Sequence, residues 1–207
     1  MTILDASPRR RRRHPDELRD EALAAARRLL LADGPSAVTL QAVARALNMA
    51  HGNITHHFGS AAKLQAVLAD ALIAELLAAV STGTRRLRSG EIDEADLVDL
   101  VFDTFEESGV GRLIGWLAAQ RSVQLDTLYH RFAQASRDLS GARDDGAILT
   151  DEALSPVIAT VVIAALGASL IGPGMSAALG LPVAFMRAQA TADFVRQRQA
   201  AATHRGE

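Results

Sequence analysis

Apolar positions recur at helical spacing along most of this chain. Leu18, Ala22, Ala25 and Leu29 fall on one face of a helix that starts near Pro15. Proline is favoured in a first turn, and Asp16 and Glu17 suit the positive end of the helix dipole. Asp33-Gly34-Pro35 stops this helix, with Gly34 able to take a left-handed cap. Thr39 can cap a second helix whose inward face is Leu40, Val43, Ala44 and Leu47. Asn48 tolerates the positive φ of a tight turn. A short third helix is expected from about Ala50 to His56, anchored by Ile54, with Phe58 closing a small core. Gly59-Ser60 breaks the chain again, and Ser60 can cap a fourth helix running from about Ala61 into the low 80s.

The same reading places helices at about Glu94 to Ser108, Arg112 to Ser122 and Leu125 to Leu139. A loop is expected around Ser140-Gly141 and Asp144-Asp145-Gly146. Two long, small-residue-rich helices follow, at about Asp151 to Ile171 and Pro182 to Ala202. No run alternates as a half-buried strand does. The predicted fold is all-α: an N-terminal three-helix helix-turn-helix domain, then a helical ligand-binding and dimerisation domain. The boundaries are a disordered basic arm at 1–13, the helix-turn-helix domain at 14–60 and the larger domain at 61–207.

Charge sharpens this division. Residues 1–70 hold ten Lys and Arg against seven Asp and Glu, giving +3; the whole chain is −2, so the remainder is −5. A basic end on an acidic body suggests that one end meets a polyanion. There is no cysteine, hence no disulfide and no thiolate metal site, which fits a reducing cytoplasm. The first residues lack the apolar core of a signal peptide. No charged residue lies between Ala153 and Met186. Its uninterrupted part, Val157 to Ile171, is shorter than the roughly 20 residues of a spanning helix. Gly172-Pro173-Gly174 interrupts the rest, so a buried interface is expected there rather than a membrane span.

A helix that reads DNA must present polar tips from its first residues to the major groove while its back packs on a core. Ala50, His51, Gly52, Asn53, Thr55 and His56 are small or polar, whereas Ile54 and Phe58 can face inwards. His51, His56 and His57 lack the i,i+3 or i,i+4 spacing of helical metal ligands, so no metal is expected. DNA contact for the first two and core packing for His57 is the reading taken.

The segment TLQAVARALNMAHGNITHHFGSAAKL, Thr39 to Leu64, resembles the DNA-binding motif of the TetR family. The matching features are Thr39, Val43-Ala44, Leu47, Gly52, Ile54, His57-Phe58, Gly59-Ser60 and Leu64, and the likeness covers about the first 70 residues. It implies a homodimeric transcriptional regulator, a repressor released by a small-molecule effector, bound to double-stranded DNA at a palindromic operator. It implies no cofactor and no membrane. The positions matching DNA contacts are Thr39, His51, Gly52, Asn53, Thr55, His56 and Lys63. Asn53 could pair with adenine and His51 donate to guanine, while Thr39 and His56 suit phosphates. This chain departs from the family at Asn48 (usually glycine), Ala50 (a hydroxyl residue), Thr55 (tyrosine) and Ala61 (lysine). The last two commonly touch phosphate, so backbone binding is expected to weaken. Arg9, Arg10, Arg11, Arg12 and Arg13 offer compensation as a flexible arm in the minor groove or along phosphates, the alternative being a solubilising tail.

In the larger domain Val157 to Ile171 is apolar all round, which requires burial on several sides. Pairing it with the last helix across a two-fold axis would make a four-helix dimer interface; an intrachain core is the other reading. Phe102, Phe105, Trp116 and Tyr129, with Gln120 and His130 as polar contacts, are candidates for a mostly apolar ligand pocket, or simply core. No P-loop, dinucleotide glycine fingerprint, GxSxG or HExxH is present, so no enzyme is expected. The runner-up is a helical protein-interaction module with a degenerate DNA-reading head.

Overall fold

The computed structural model describes residues 15–122, 125–126, 129–134 and 151–203. The arginine arm lies outside the described residues, as does the loop expected near 140–146. The described residues are helical, with no strand among them. In chain order the helices are α1 (Pro15–Asp33), α2 (Leu40–Ala46), α3 (His51–Phe58), α4 (Ala61–Arg88), α5 (Glu94–Ser108), α6 (Val110–Ala119), α7 (Asp151–Leu179) and α8 (Phe185–Thr203). A 3₁₀ turn spans Pro35–Ala37, and residues 125–126 and 129–134 are also helical.

The N-terminal helices pack as their apolar spacing dictates. Leu18, Ala22, Ala25, Ala26 and Leu30 of α1 are buried with Leu40, Val43 and Ala44 of α2. The inner face of α1 ends on Leu30 rather than on the expected Leu29, which is half-buried, because Ala26 and Leu30 share one side of the helix. Ile54 and Phe58 close this core from α3.

α4 joins the two domains. It is capped by Ser60, whose hydroxyl accepts from the Lys63 amide at 3.2 Å. Its 28 residues make it about 42 Å long at 1.5 Å per residue. Leu64 and Leu68 belong to the head, and the same stripe continues through Leu72 and Leu76 into the body. Gly83 lets α5 approach closely: a Cβ there would lie 2.6 Å from a Leu97 methyl. The helix ends at Arg88 and not in the low 80s; Gly90, at φ 73, terminates it, with its amide on the Leu87 carbonyl and the Glu91 amide on that of Arg86.

α5 opens with a reciprocal capping box between Asp93 and Asp96. Gly109 (φ 77) turns the chain directly into α6, two residues earlier than the expected Arg112 start. α6 stops at Ala119 because Arg121 (φ 50) takes the left-handed position of a closing turn. α7 overruns its expected end at Ile171. Pro173 lies inside the helix, where proline removes one amide donor and kinks the axis without always ending it. Gly180 (φ 65) ends it instead, and α8 then begins at Phe185, three residues after the expected Pro182. α7 packs on α5, α6 and α8.

One flank of α7 is not covered. Val157, Val161 and Ala165 face the core, but Ile163, Leu170, Ile171, Met175 and Leu179 are exposed. By length and composition α4 and α7 are each long and apolar enough to cross a membrane. The buried stripe of α4 is accounted for by the core of this chain; the open flank of α7 is not.

Candidate nucleic-acid interface

The reading head is built by two caps and one turn. Thr39 accepts a hydrogen bond from the Ala42 amide at 3.1 Å, fixing the start of α2 and leaving its own O–H free to donate. At the other end of α2, Asn48 holds φ 52, the Asn48 amide donates to the Arg45 carbonyl, and the Met49 amide donates to the Ala44 carbonyl. This paired closure needs one residue in the left-handed region. Asparagine reaches it more easily than most non-glycine residues. The turn therefore forms with Asn48 in place of the glycine usual in the resembling family.

α3 runs from His51 to Phe58, so Ala50 is its cap residue and makes no side-chain cap bond. With Ile54 and Phe58 held inwards, His51, Gly52, Asn53 and His56 are exposed on the outer surface. His57 is exposed as well, which corrects its expected place in the core: it lies at the margin of the face that Ile54 and Phe58 bury, not within it. The His56 and His57 rings meet edge to face, with centroids 5.9 Å apart. Thr55 is half-buried, and its hydroxyl donates to the His51 carbonyl at 3.0 Å. That bond ties its polar atom to its own helix. Lys63 is exposed at the start of α4, its stem lying back along Gly59.

The electrostatics are one-signed. No Asp or Glu occurs between Asp33 and Asp70. Across the second half of the head, the permanent charges are Arg45 and Lys63, both exposed. Sequence reading scored whole-domain charge and overlooked this carboxylate-free run, although it is plain in the residues. Such a surface attracts phosphate without an opposing field.

The six residues expected around a ligand divide between core and surface. Phe102 and Phe105 are fully buried in the core. Trp116 is half-buried against it. Gln120, Tyr129 and His130 are exposed. A groove of about 430 Å³ lies elsewhere, between α7 and α8, and is lined by Ala159, Ile163, Gly167, Met186, Ala190 and Asp193 among others. Sequence reading assigned this pair of helices to contact between subunits and did not separate out a groove. No group of His, Asp or Glu suited to a metal is present among the described residues.

The body is tied to the head at several points. Arg112 of α6 donates to the Leu31 carbonyl near the end of α1 at 3.1 Å. Arg27 of α1 pairs with Glu75 of α4 at 2.9 Å, an exposed pair that contributes little alone. Within the body, Arg187 of α8 meets Asp103 at 2.7 Å, Asp99 at 3.2 Å and Glu106 at 3.6 Å, all on α5, and its guanidinium stacks over Phe102. Burial pushes the pKa of Arg187 down, but hydrogen bonds and attraction to Asp103 and Asp99 outweigh that and hold it above the ordinary arginine value.

Residues 22–66 match a family described as bacterial regulatory proteins, tetR family. That span covers most of α1, all of α2 and α3, and the first turns of α4. No curated protein matches the sequence. Two solved structures share the fold. One is the multidrug binding protein EbrR complexed with imidazole, with a TM-score of 0.63 and 21% identity over 87% of this chain and 94% of that one. The other is a transcriptional regulator from Rhodococcus sp. Rha1, with a TM-score of 0.59 and 18% identity over 88% of this chain and 97% of that one.

Proposed function

We propose that this chain, a transcriptional regulator of the TetR family, works as a cytoplasmic homodimer that represses by occupying a palindromic operator and lets go when a small molecule enters its larger domain. The observation that carries the DNA-binding half is the reading head itself. His51, Gly52, Asn53 and His56 are exposed on one short helix, inside a run without a single carboxylate. In this reading Asn53 and His51 contact base edges. Thr39, His56 and Lys63 hold phosphates, Thr55 contributes through its methyl group, and Arg9 to Arg13 reach the backbone or minor groove.

The open flank of α7 supports the dimer. Ile163 is 68% exposed, on the wall of a groove shared with α8. A second copy placed across a two-fold axis would cover this flank and set two heads at a fixed spacing. The small-molecule half draws on the likeness to a multidrug binding protein. In this reading its site lies beside α5 and α6, where Trp116 is half-buried against the core that holds Phe102 and Phe105. Entry of a ligand there would repack α6, whose Arg112 grips the end of α1, and shift the population towards heads misplaced for the operator.

One observation favours a second reading. The Thr55 hydroxyl is engaged by its own helix, and Ala61 has no charge to offer, so a head that binds protein instead of DNA is the alternative. The Asn53→Ala variant separates the two. Under the first reading it loses discrimination between the selected operator and a scrambled duplex while retaining salt-sensitive nonspecific binding. Under the second, neither the parent protein nor the variant discriminates.

A further inference from the structure

We propose that operator binding by this protein is proton-linked: His56 and His57 take up protons as the head docks on phosphate, so that the affinity for DNA rises as the pH falls. The proposal rests on the DNA-binding reading above.

Histidine is the side chain whose charge changes between about pH 5 and 8. Both rings are exposed at the end of α3, next to each other and free of the core. They occupy the last turn of that helix. His51 sits at the opposite end, in the first turn.

The neighbouring elements offer no counter-charge. α2 contributes Arg45, and the start of α4 contributes Lys63. Neither α2, α3 nor α4 before Asp70 carries an Asp or Glu. The carboxylates of α1 belong to a helix that packs chiefly on α2, the 3₁₀ turn and α4. In the free protein the permanent charges of this segment are therefore the two cations, Arg45 and Lys63. A bound phosphate changes that balance, because an anion within a few ångströms favours the protonated form. Protonation at both sites doubles the charge of the 34–69 segment from +2 to +4.

By linkage, a site that binds protons more tightly in the complex makes association stronger at lower pH, by up to about tenfold per pH unit for each proton taken up. Each phosphate neutralised also steepens the log–log salt dependence by about 0.9.

The test uses the full chain and the duplex it selects from a random-sequence library at pH 6. Affinity is measured at pH 6 and pH 8 across several salt concentrations, with circular dichroism confirming equal helix content. The expected result is binding at least about tenfold tighter at pH 6, with a steeper salt slope. His56→Asn/His57→Asn should bind alike at both pH values, while His51→Asn keeps the dependence. His56→Arg/His57→Arg should bind at pH 8 as tightly as at pH 6. Equal wild-type affinity at both pH values overturns the proposal and leaves the DNA-binding reading intact. A pH dependence that survives in the double asparagine variant also overturns it, assigning the protons elsewhere. No binding at either pH, in any salt, overturns the DNA-binding reading as well.

Discussion

The side-chain amide of Gln65 donates to the backbone carbonyl of Val38 at 3.0 Å, and both residues are buried. This single bond fastens the second turn of α4 to the residue that closes the 3₁₀ turn before α2, 27 residues back along the chain. Replacing Gln65 with Leu keeps a similar volume but removes the donor from a buried acceptor, which costs about 1–3 kcal/mol. Urea denaturation should show a loss of that size, and operator affinity should fall with it. An unchanged midpoint would mean that the bond is dispensable.

Gly111 marks where α6 rests on α7. A Cβ built there would lie 2.1 Å from the Ser169 hydroxyl oxygen and 3.0 Å from the Ser169 Cβ. Gly111→Ala should therefore destabilise the fold by about 1–3 kcal/mol, the usual cost of overpacking. Adding Ser169→Gly removes both clashing atoms. The double variant should recover part of the loss in thermal denaturation, and strict additivity of the two changes would refute the contact.

Helix content and the head were largely legible in the sequence because local signals agreed there. Thr39, Asn48, Gly59 and Ser60 each act through their own backbone, so their roles follow from residue type. The overrun of α7 was not legible, since Pro173 reads as a stop unless neighbouring turns sustain the helix. The exposure of His57 was missed because its neighbour Phe58 drew it towards the core, whereas helical phase turns adjacent residues apart by about 100°. Whether the aromatic residues of α5 line a cavity was not legible for another reason. Phe102 and Phe105 have the same composition signal whether they line a cavity or fill one, and only packing distinguishes the two. The groove between α7 and α8 depends on a tertiary approach that spacing alone does not encode.

Arg187 is the common partner of three carboxylates on α5. Arg187→Met leaves Asp99, Asp103 and Glu106 facing each other across successive turns without their cation. The guanidinium is 24% exposed, between a surface pair and a buried one, so the expected loss is about 1–2 kcal/mol. The pKa of a group raised on folding contributes stability that is fully present below its unfolded value, and lost only as pH rises through the folded one. For Arg187 that window lies above the ordinary arginine range, so its protonation adds no pH dependence between pH 6 and 8. Chemical denaturation at both values should show the same deficit; a deficit present at only one would place the interaction elsewhere.

Ile163, 68% exposed on the open flank of α7, lies at the centre of the proposed subunit contact. Ile163→Arg puts a charge into a surface that a second copy must dehydrate, which is strongly unfavourable without a partner. Sedimentation should show the parent protein at twice the monomer mass and the variant at 21.9 kDa. Circular dichroism should be unaltered, because the side chain is outside the monomer's core. A variant that remains dimeric would remove this face from the interface.

The most direct measurement of the central claim is selection of bound duplexes from a library of genomic fragments by the purified full chain, sequenced after washes at increasing salt. The account predicts enrichment of an inverted repeat whose two half-sites lie a fixed distance apart, one for each head of a dimer. Retention of DNA without any enriched sequence, lost steeply as salt rises, would contradict it. That result would reduce the head and its basic arm to a nonspecific phosphate-binding surface.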